Sequence, residues 1–177
     1  MSDTRTRILD LAEGLTQAKG FKGFSYLDLA AEIGIKNSSI HYHFKAKADL
    51  ALALVKRQRE MLSEANAKFD RDMKTPQERL RAVLSQFKAY IVEDRICMCG
   101  MMAAEFEAIN PEVRRELIHY FRDFQNWLAK QFSEMDHVNP PAAALQFLSA
   151  LEGSLLLARL EGDASLIERA LDGFVIE

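Results

Sequence analysis

Between Ser25 and Leu50 the chain reads SYLDLAAEIGIKNSSIHYHFKAKADL, two short helical patterns divided at Gly34. Ser25 stands where a helix N-cap belongs, and Asp28 three residues later completes a capping-box pattern, which predicts a helix from Tyr26 to Ile33. Gly34 stops that helix, because a residue without Cβ can take the left-handed conformation that ends one. Ile35 enters a turn, and the run from Asn37 opens the next helix. Two short helices joined by a three- or four-residue turn match a helix-turn-helix. Ala30 and Ala31 would let the second helix cross closely, although alanine is also simply a good helix former. In the second helix Ile40 and Phe44 sit four apart on one face, among serines, histidines, a tyrosine and lysines. Such a helix anchors with one side and presents hydrogen-bonding groups with the other.

Helical periodicity dominates the rest of the chain, with no convincing strand and no internal repeat. Ile8, Leu11, Ala12 and Leu15 mark a helix from about Thr4 to Lys19, with Gly20 as its left-handed end and Phe21 and Phe24 as plugs for a small core. A long helix follows Lys47 to about Asp70. Thr75-Pro76-Gln77-Glu78 combines a cap, proline at the first position and glutamate at the third, and the helix it opens carries Leu80, Leu84, Phe87 and Ile91. A short helix around Ala103 and Phe106 comes next. Asn110-Pro111 and Asn139-Pro140 open two more, Gly162-Asp163 breaks the second of these, and a last helix runs toward the C-terminus. The expectation is an all-α fold of about nine helices: a three-helix N-terminal domain over residues 1–47 and a helical bundle over 48–177.

Of the 177 residues, 49% are apolar and 28% charged, a soluble globular balance. No continuous apolar run approaches the ~18–20 residues of a membrane span, and Met1-Ser-Asp-Thr-Arg is no signal peptide, so the expectation is a cytoplasmic chain without a membrane partner. Cys97 and Cys99 fit a reducing compartment. The net charge of −3 argues against a polyanionic partner, but its distribution argues for one. Over residues 36–59, Lys36, Lys45, Lys47, Lys56, Arg57 and Arg59 face Asp49 alone. An acidic body with one basic zone can meet a polyanion with one face, while a solvated basic face without a partner gives the same count.

Residues 25–50 resemble the TetR/AcrR family of bacterial transcriptional regulators. The family pattern there is roughly Thr-x-x-x-Ile-Ala-x-x-Ala-Gly-Val-Ser-x-Gly-x-Leu-Tyr-x-His-Phe-x-x-Lys-x-x-Leu. Leu29, Ala30, Gly34, Ile35, Ile40, His43, Phe44, Lys47 and Leu50 fall on it as identities or close substitutes. Ser25 replaces threonine and keeps the capping hydroxyl, Ser38 stands where glycine is common, and His41 where tyrosine is common. Ala46 replaces a capping residue and leaves Asp49 half a capping box. The resemblance implies a DNA-binding helix-turn-helix in which Lys36, Asn37, Ser38, Ser39, His41 and Tyr42 face the groove. Ser25, Tyr42, His43 and Lys47 would face the backbone. A helix of about eight residues spans ~12 Å, comparable to the ~12 Å major groove, so the geometry agrees. The resemblance further implies a homodimeric repressor on a near-palindromic double-stranded operator, released by a small-molecule effector bound among the C-terminal helices. Phe87, Tyr90, Ile91, Met98, Met102, Phe106, Phe121, Phe124 and Trp127 are the candidate lining.

Alternatives stay open at several positions. The stretch Cys97-Met98-Cys99-Gly100-Met101-Met102 can be core packing, part of an effector cavity, or a redox or electrophile sensor working through Cys97 or Cys99. A CxC pair is not the CxxC redox motif, and only Arg95 hints at the electropositive setting a reactive thiol needs. The helix from Leu145 to Leu160 is apolar around most of its circumference, and Ala142, Ala143, Ala144 and Ala150 allow close approach, which favours a homodimer through the last two helices over burial within one chain. His41 and His43 diverge as an i, i+2 pair on a helix, so no metal is expected there, and no cofactor is implied. A small-molecule carrier that ignores DNA is a further reading, opposed by the basic recognition stretch. An enzyme is the weakest, since no nucleophile elbow, phosphate loop, zinc spacing or paired-carboxylate motif is present.

Overall fold

The computed structural model describes residues 3–175. Among them the chain forms nine α-helices and no strand: α1 (Thr4–Lys19), α2 (Tyr26–Ile33), α3 (Asn37–His43), α4 (Lys47–Asp72), α5 (Pro76–Val92), α6 (Met98–Ala104), α7 (Pro111–Glu134), α8 (Pro140–Glu161) and α9 (Ser165–Val175). Single 3-10 turns lie at Phe21–Gly23 and Phe106–Ala108. The all-α expectation is met.

The helix ends form as their capping residues dictate. Ser25 Oγ accepts the Asp28 N–H at 3.3 Å while the Asp28 carboxylate accepts the Ser25 N–H at 2.7 Å. Thr75 and Glu78 repeat this reciprocal box at the start of α5. Asn110 and Asn139 accept the N–H groups of Val113 and Ala142 at 2.8 and 3.3 Å. Gly34 is left-handed (φ 77°, ψ 37°), and the N–H groups of Gly34 and Ile35 both return to the Ala30 carbonyl, which closes α2. Ahead of α4, where Ala46 offers no cap, the Asp49 carboxylate still accepts the Ala46 N–H at 2.9 Å. Gly20 departs from expectation. Its φ of 82° is positive, but its ψ of 160° places it in an extended region that glycine alone occupies readily, rather than in the left-handed helical one.

By packing, the chain separates into two compact units. The first comprises the residues up to Arg59 together with Met98–Tyr120, and the second Glu60–Cys97 together with the residues from Phe121 onward. The opening turns of α4, the whole of α6 and α7 as far as Tyr120 belong to the first unit. The first unit buries Ile8, Ala12, Leu29, Ile40, Phe44, Leu50 and Leu54, with Phe21 and Phe24 edge to face at 5.6 Å. The second buries Leu80, Phe87, Phe124, Leu128, Phe132, Phe147, Leu151, Leu155, Ile167 and Leu171, and there α8 packs on α9 and both pack on α5. Its buried Arg79 donates to Gln131 Oε1 at 2.9 Å and to Glu134 Oε2 at 2.6 Å.

The 22-residue α8 is long and apolar enough, by length and composition, to cross a membrane, although Glu152 and Arg159 interrupt its apolar run. Its inner face, including Ala143, Ala144, Phe147, Leu151 and Ala158, is fully buried in the second unit, so a core helix accounts for the same composition.

Candidate nucleic-acid interface

The face that α3 presents is fixed from behind. Ile40 and Phe44 are buried against the first unit's core, and Arg5 caps the Phe44 ring at 5.3 Å. The Arg7 guanidinium donates to the Ile33 carbonyl at 2.9 Å at the end of α2. Tyr26 Oη donates to the Ala46 carbonyl at 2.7 Å, tying the first residue of α2 to the turn between α3 and α4. Burial pushes the Tyr26 phenol up to about 12, with the Asp49 carboxylate adding to the shift. It therefore stays a neutral donor throughout the physiological range.

Forward of this anchor stands a polar surface. Tyr42 is 83% exposed, with its ring edge to face on His43 at 5.2 Å. His41 is exposed, edge to face on Tyr26 at 5.0 Å, with its Nδ1 3.4 Å from the Lys45 carbonyl. Ser38 is exposed, Ser39 and His43 are half-buried, and Lys36 and Lys45 are exposed at the two ends of α3. Ser25 is exposed too, but its hydroxyl already donates to Asp28 Oδ2 at 2.8 Å within the cap. These bonds from Ser25 hold the Asp28 carboxyl below its ordinary value. Asn37 departs from expectation: its side-chain oxygen is withdrawn from solvent and takes no hydrogen bond, so it is not offered to a groove.

The basic zone also needs correction. Lys47, expected to meet a phosphate, turns its ammonium inward. Nζ donates to the Phe21 carbonyl at 2.6 Å and to the Phe24 carbonyl, and lies over both rings at 4.8 and 4.5 Å. Burial holds its pKa below the ordinary lysine value, partly offset by Glu105 and Asp28. Two of its three donors are thus spent within the protein. Arg57 pairs with Asp10 at 2.6 Å and with Glu13, and Arg59 with Glu116 at 3.0 Å. Of the six basic residues read as one zone, Lys36, Lys45 and Lys56 are exposed.

A helix-turn-helix of this sequence, with a left-handed glycine at its turn and a polar, lysine-flanked second helix, is also what comparison with known proteins finds. Residues 8–54 match the family model described as bacterial regulatory proteins, tetR family, and residues 76–174 match the tetracyclin repressor-like C-terminal domain. The chain belongs to the TetR family. The crystal structure of a TetR transcriptional regulator from Legionella pneumophila superposes with a TM-score of 0.93 at 30% identity, covering 99% of this chain and 96% of that one. A TetR-family regulator from Agrobacterium tumefaciens gives 0.90 at 28% identity, covering 97% and 95%. An uncharacterized HTH-type transcriptional regulator from the lacX 3' region of Lactococcus lactis subsp. lactis is 25% identical over 181 residues, covering 97% of this chain and 91% of the relative. This TetR-family chain is a transcriptional regulator with a DNA-binding helix-turn-helix, and the proteins it matches are regulators rather than enzymes.

The residues expected to line an effector site are divided between the two units of this TetR-family fold. In the second, Phe87 and Phe124 are buried and stacked at 6.2 Å, Tyr90 meets Phe87 edge to face at 5.6 Å, and Ile91 and Phe121 are half-buried. Trp127 is buried, with its Nε1 donating to Asp70 Oδ1 at 3.1 Å. In the first, Met98 and Met102 are buried, while Phe106 is 48% exposed beneath the Arg114 guanidinium at 3.6 Å. Cys97 and Cys99 are free thiols and both are buried. Sequence reasoning missed Glu152 of α8. Burial pushes its carboxyl up to about 7, against a hydrogen bond with Cys97 that acts in the opposite direction. Its Oε1 is shut off from solvent and unbonded. Tyr26, Asp10, Glu13 and Glu105 were missed as well. Only Tyr26 had a local signal, an aromatic at the first position of a capped helix.

Proposed function

We propose that the chain is a homodimeric repressor that binds a near-palindromic operator and is released from it by a small-molecule effector. The observation that carries the DNA reading is α3 itself, a helix pinned by Ile40 and Phe44 that turns Ser38, His41 and Tyr42 outward between Lys36 and Lys45. Side chains of this kind read base edges, and flanking cations meet phosphates. The contact set is Lys36, Ser38, Ser39, His41, Tyr42 and His43, with Ser25 at the backbone. Lys47, whose ammonium is turned onto the Phe21 and Phe24 carbonyls, is left outside this set, and Asn37 keeps its amide nitrogen.

The dimer reading is supported by the outer face of α8, where Leu145, Leu156, Leu157 and Leu160 are 53%, 59%, 53% and 83% exposed. Contiguous apolar residues of this size call for a cover, and in a symmetric pair the same patch covers itself. A dimer would place two α3 helices on half-sites about one helical turn apart. The effector reading is supported by the aromatic group of Phe87, Tyr90 and Phe124, on which an apolar or amphipathic compound could pack, with Trp127 on the same helix as Phe124. The continuous α4, which starts beside the helix-turn-helix and ends at Asp72 near Trp127's partner Asp70, is the element whose movement would carry the signal. Sensing by thiols is less well supported, because both cysteines are buried and Cys97 is engaged with a carboxyl group, neither of which activates a thiolate.

Selection of duplexes from a random-sequence library tests the DNA reading, with a near-palindromic consensus expected. Titration of small apolar and amphipathic compounds against Trp127 fluorescence, followed by release from the selected duplex, tests the effector reading. Release by alkylation of the thiols alone, abolished in a Cys97→Ser, Cys99→Ser variant, would replace the effector with a redox signal.

A further inference from the structure

We infer that Glu105, which follows α6 and lies about sixty residues beyond the helix-turn-helix, is a positioning residue of the DNA-binding unit that sets the connection between α1 and α2. Its Oε2 accepts the Lys22 backbone N–H at 3.0 Å. Its Oε1 occupies the space beside Gly20, where an added Cβ would lie 2.2 Å away. The connection thus comes down directly on the carboxylate, which would have to shift to admit any side chain at position 20, and the positive φ of 82° there disfavours one independently. From the other side the Lys47 ammonium takes the carbonyls of Phe21 and Phe24, and Glu105 and Lys47 attract each other.

The five residues from Gly20 to Phe24 are therefore held between opposite charges, a carboxylate on an amide hydrogen and an ammonium on two carbonyls. Both are charge-assisted hydrogen bonds, the stronger kind. Phe24 immediately precedes Ser25, the cap that starts α2, and the rings of Phe21 and Phe24 fill the core beneath it. Displacing the carboxylate shifts the start of α2 and, through the Tyr26–Ala46 hydrogen bond, the turn that follows α3. Glu105 touches no DNA in this account. It works by fixing where α2 begins, and α6, which packs on α1, is the element that carries it.

The test uses the full chain and two duplexes, one selected by the wild-type protein from a random library and a scrambled version of it. Glu105→Ala is expected to lower affinity for the selected duplex about tenfold and leave the scrambled one unchanged, with helix content retained. Glu105→Gln keeps an acceptor for Lys22 but loses the charge, and should lose about threefold by the same ratio. If Glu105→Ala does not fold, Glu105→Gln decides alone. A Gly20→Ala substitution should weaken selected-duplex binding more in the wild-type background than in Glu105→Ala, because the backbone strain is common to both and the clash is not. Unchanged affinity in the folded variants, equal losses on both duplexes, or additive effects of positions 20 and 105 would each overturn the assignment.

Discussion

Helices α3 and α8 both leave large side chains uncovered, and the two surfaces are opposite in chemistry. On α3 the uncovered groups are the Tyr42 phenol, the His41 ring and the Ser38 hydroxyl, with lysines at either end. On α8 they are the side chains of Leu145, Leu156, Leu157 and Leu160, beside the exposed Gly153. Polar groups are at ease in water and cost nothing while they wait for a partner. Exposed leucine costs about 25 cal/mol for every Å² left wet, so it favours association with whatever can cover it. Exposure alone therefore says little, and the chemistry of what is exposed separates a surface suited to a polyanion from one suited to a protein partner.

The comparison breaks most readily at α8. Leu156→Asp with Leu160→Asp should weaken self-association at least about a hundredfold in sedimentation, with helix content of each chain intact, since two charges would be buried in an apolar seam. Unchanged association would remove α8 from the interface.

The inner edge of the same helix gives the next effect. Because the folded Glu152 carboxyl titrates near 7, above its ordinary 4.5, the folded chain keeps a proton that the unfolded chain releases. Stability should fall as pH rises from about 4.5 to 7 and level off above that. Glu152→Gln should flatten this slope and raise stability above pH 7 by up to about 3 kcal/mol, as read by denaturant unfolding at several pH values. An equally steep slope in the variant would place the titrating group elsewhere.

On α3, Tyr42→Ala should cost about 1–3 kcal/mol in affinity for the selected duplex and leave the melting temperature unchanged, because the ring is exposed. A fall in melting temperature without loss of affinity would turn Tyr42 into a packing residue. The smallest effect falls at the edge of this surface. Lys47→Ala should lower stability by about 1–2 kcal/mol, since two carbonyls lose their donor, and should leave the salt dependence of DNA binding nearly unchanged. A log–log salt slope flatter by about 0.9 would instead return Lys47 to the phosphate contacts.

Most of the fold could be read in the sequence because helix ends are written locally. Ser25 with Asp28, Thr75 with Glu78, Asn110, Asn139 and Gly34 act on residues three or four positions away, and each closes the helix end it predicts. The outer face of α3 followed from the same local periodicity. What could not be read were the long-range partners of charged side chains. Arg57 meets Asp10 and Glu13, Arg59 meets Glu116, Lys47 meets the Phe21 and Phe24 carbonyls, and Lys22 meets Glu105. A local charge count treats such cations as free, so it overstated the basic zone. The apolar circumference of α8 was visible, but only its packing separates the buried face of Phe147 and Leu151 from the leucines left outside.

The central claim, that α3 reads DNA in a pair of chains joined through α8, is tested most directly by sedimentation of the protein with one selected near-palindromic duplex. The wild-type chain should bind two copies per duplex in a single cooperative step. The Leu156→Asp, Leu160→Asp variant should lose that step while remaining folded, and Tyr42→Ala should keep the dimer and lose the duplex. One wild-type chain per duplex, or a dimer and duplex both indifferent to these substitutions, would contradict it.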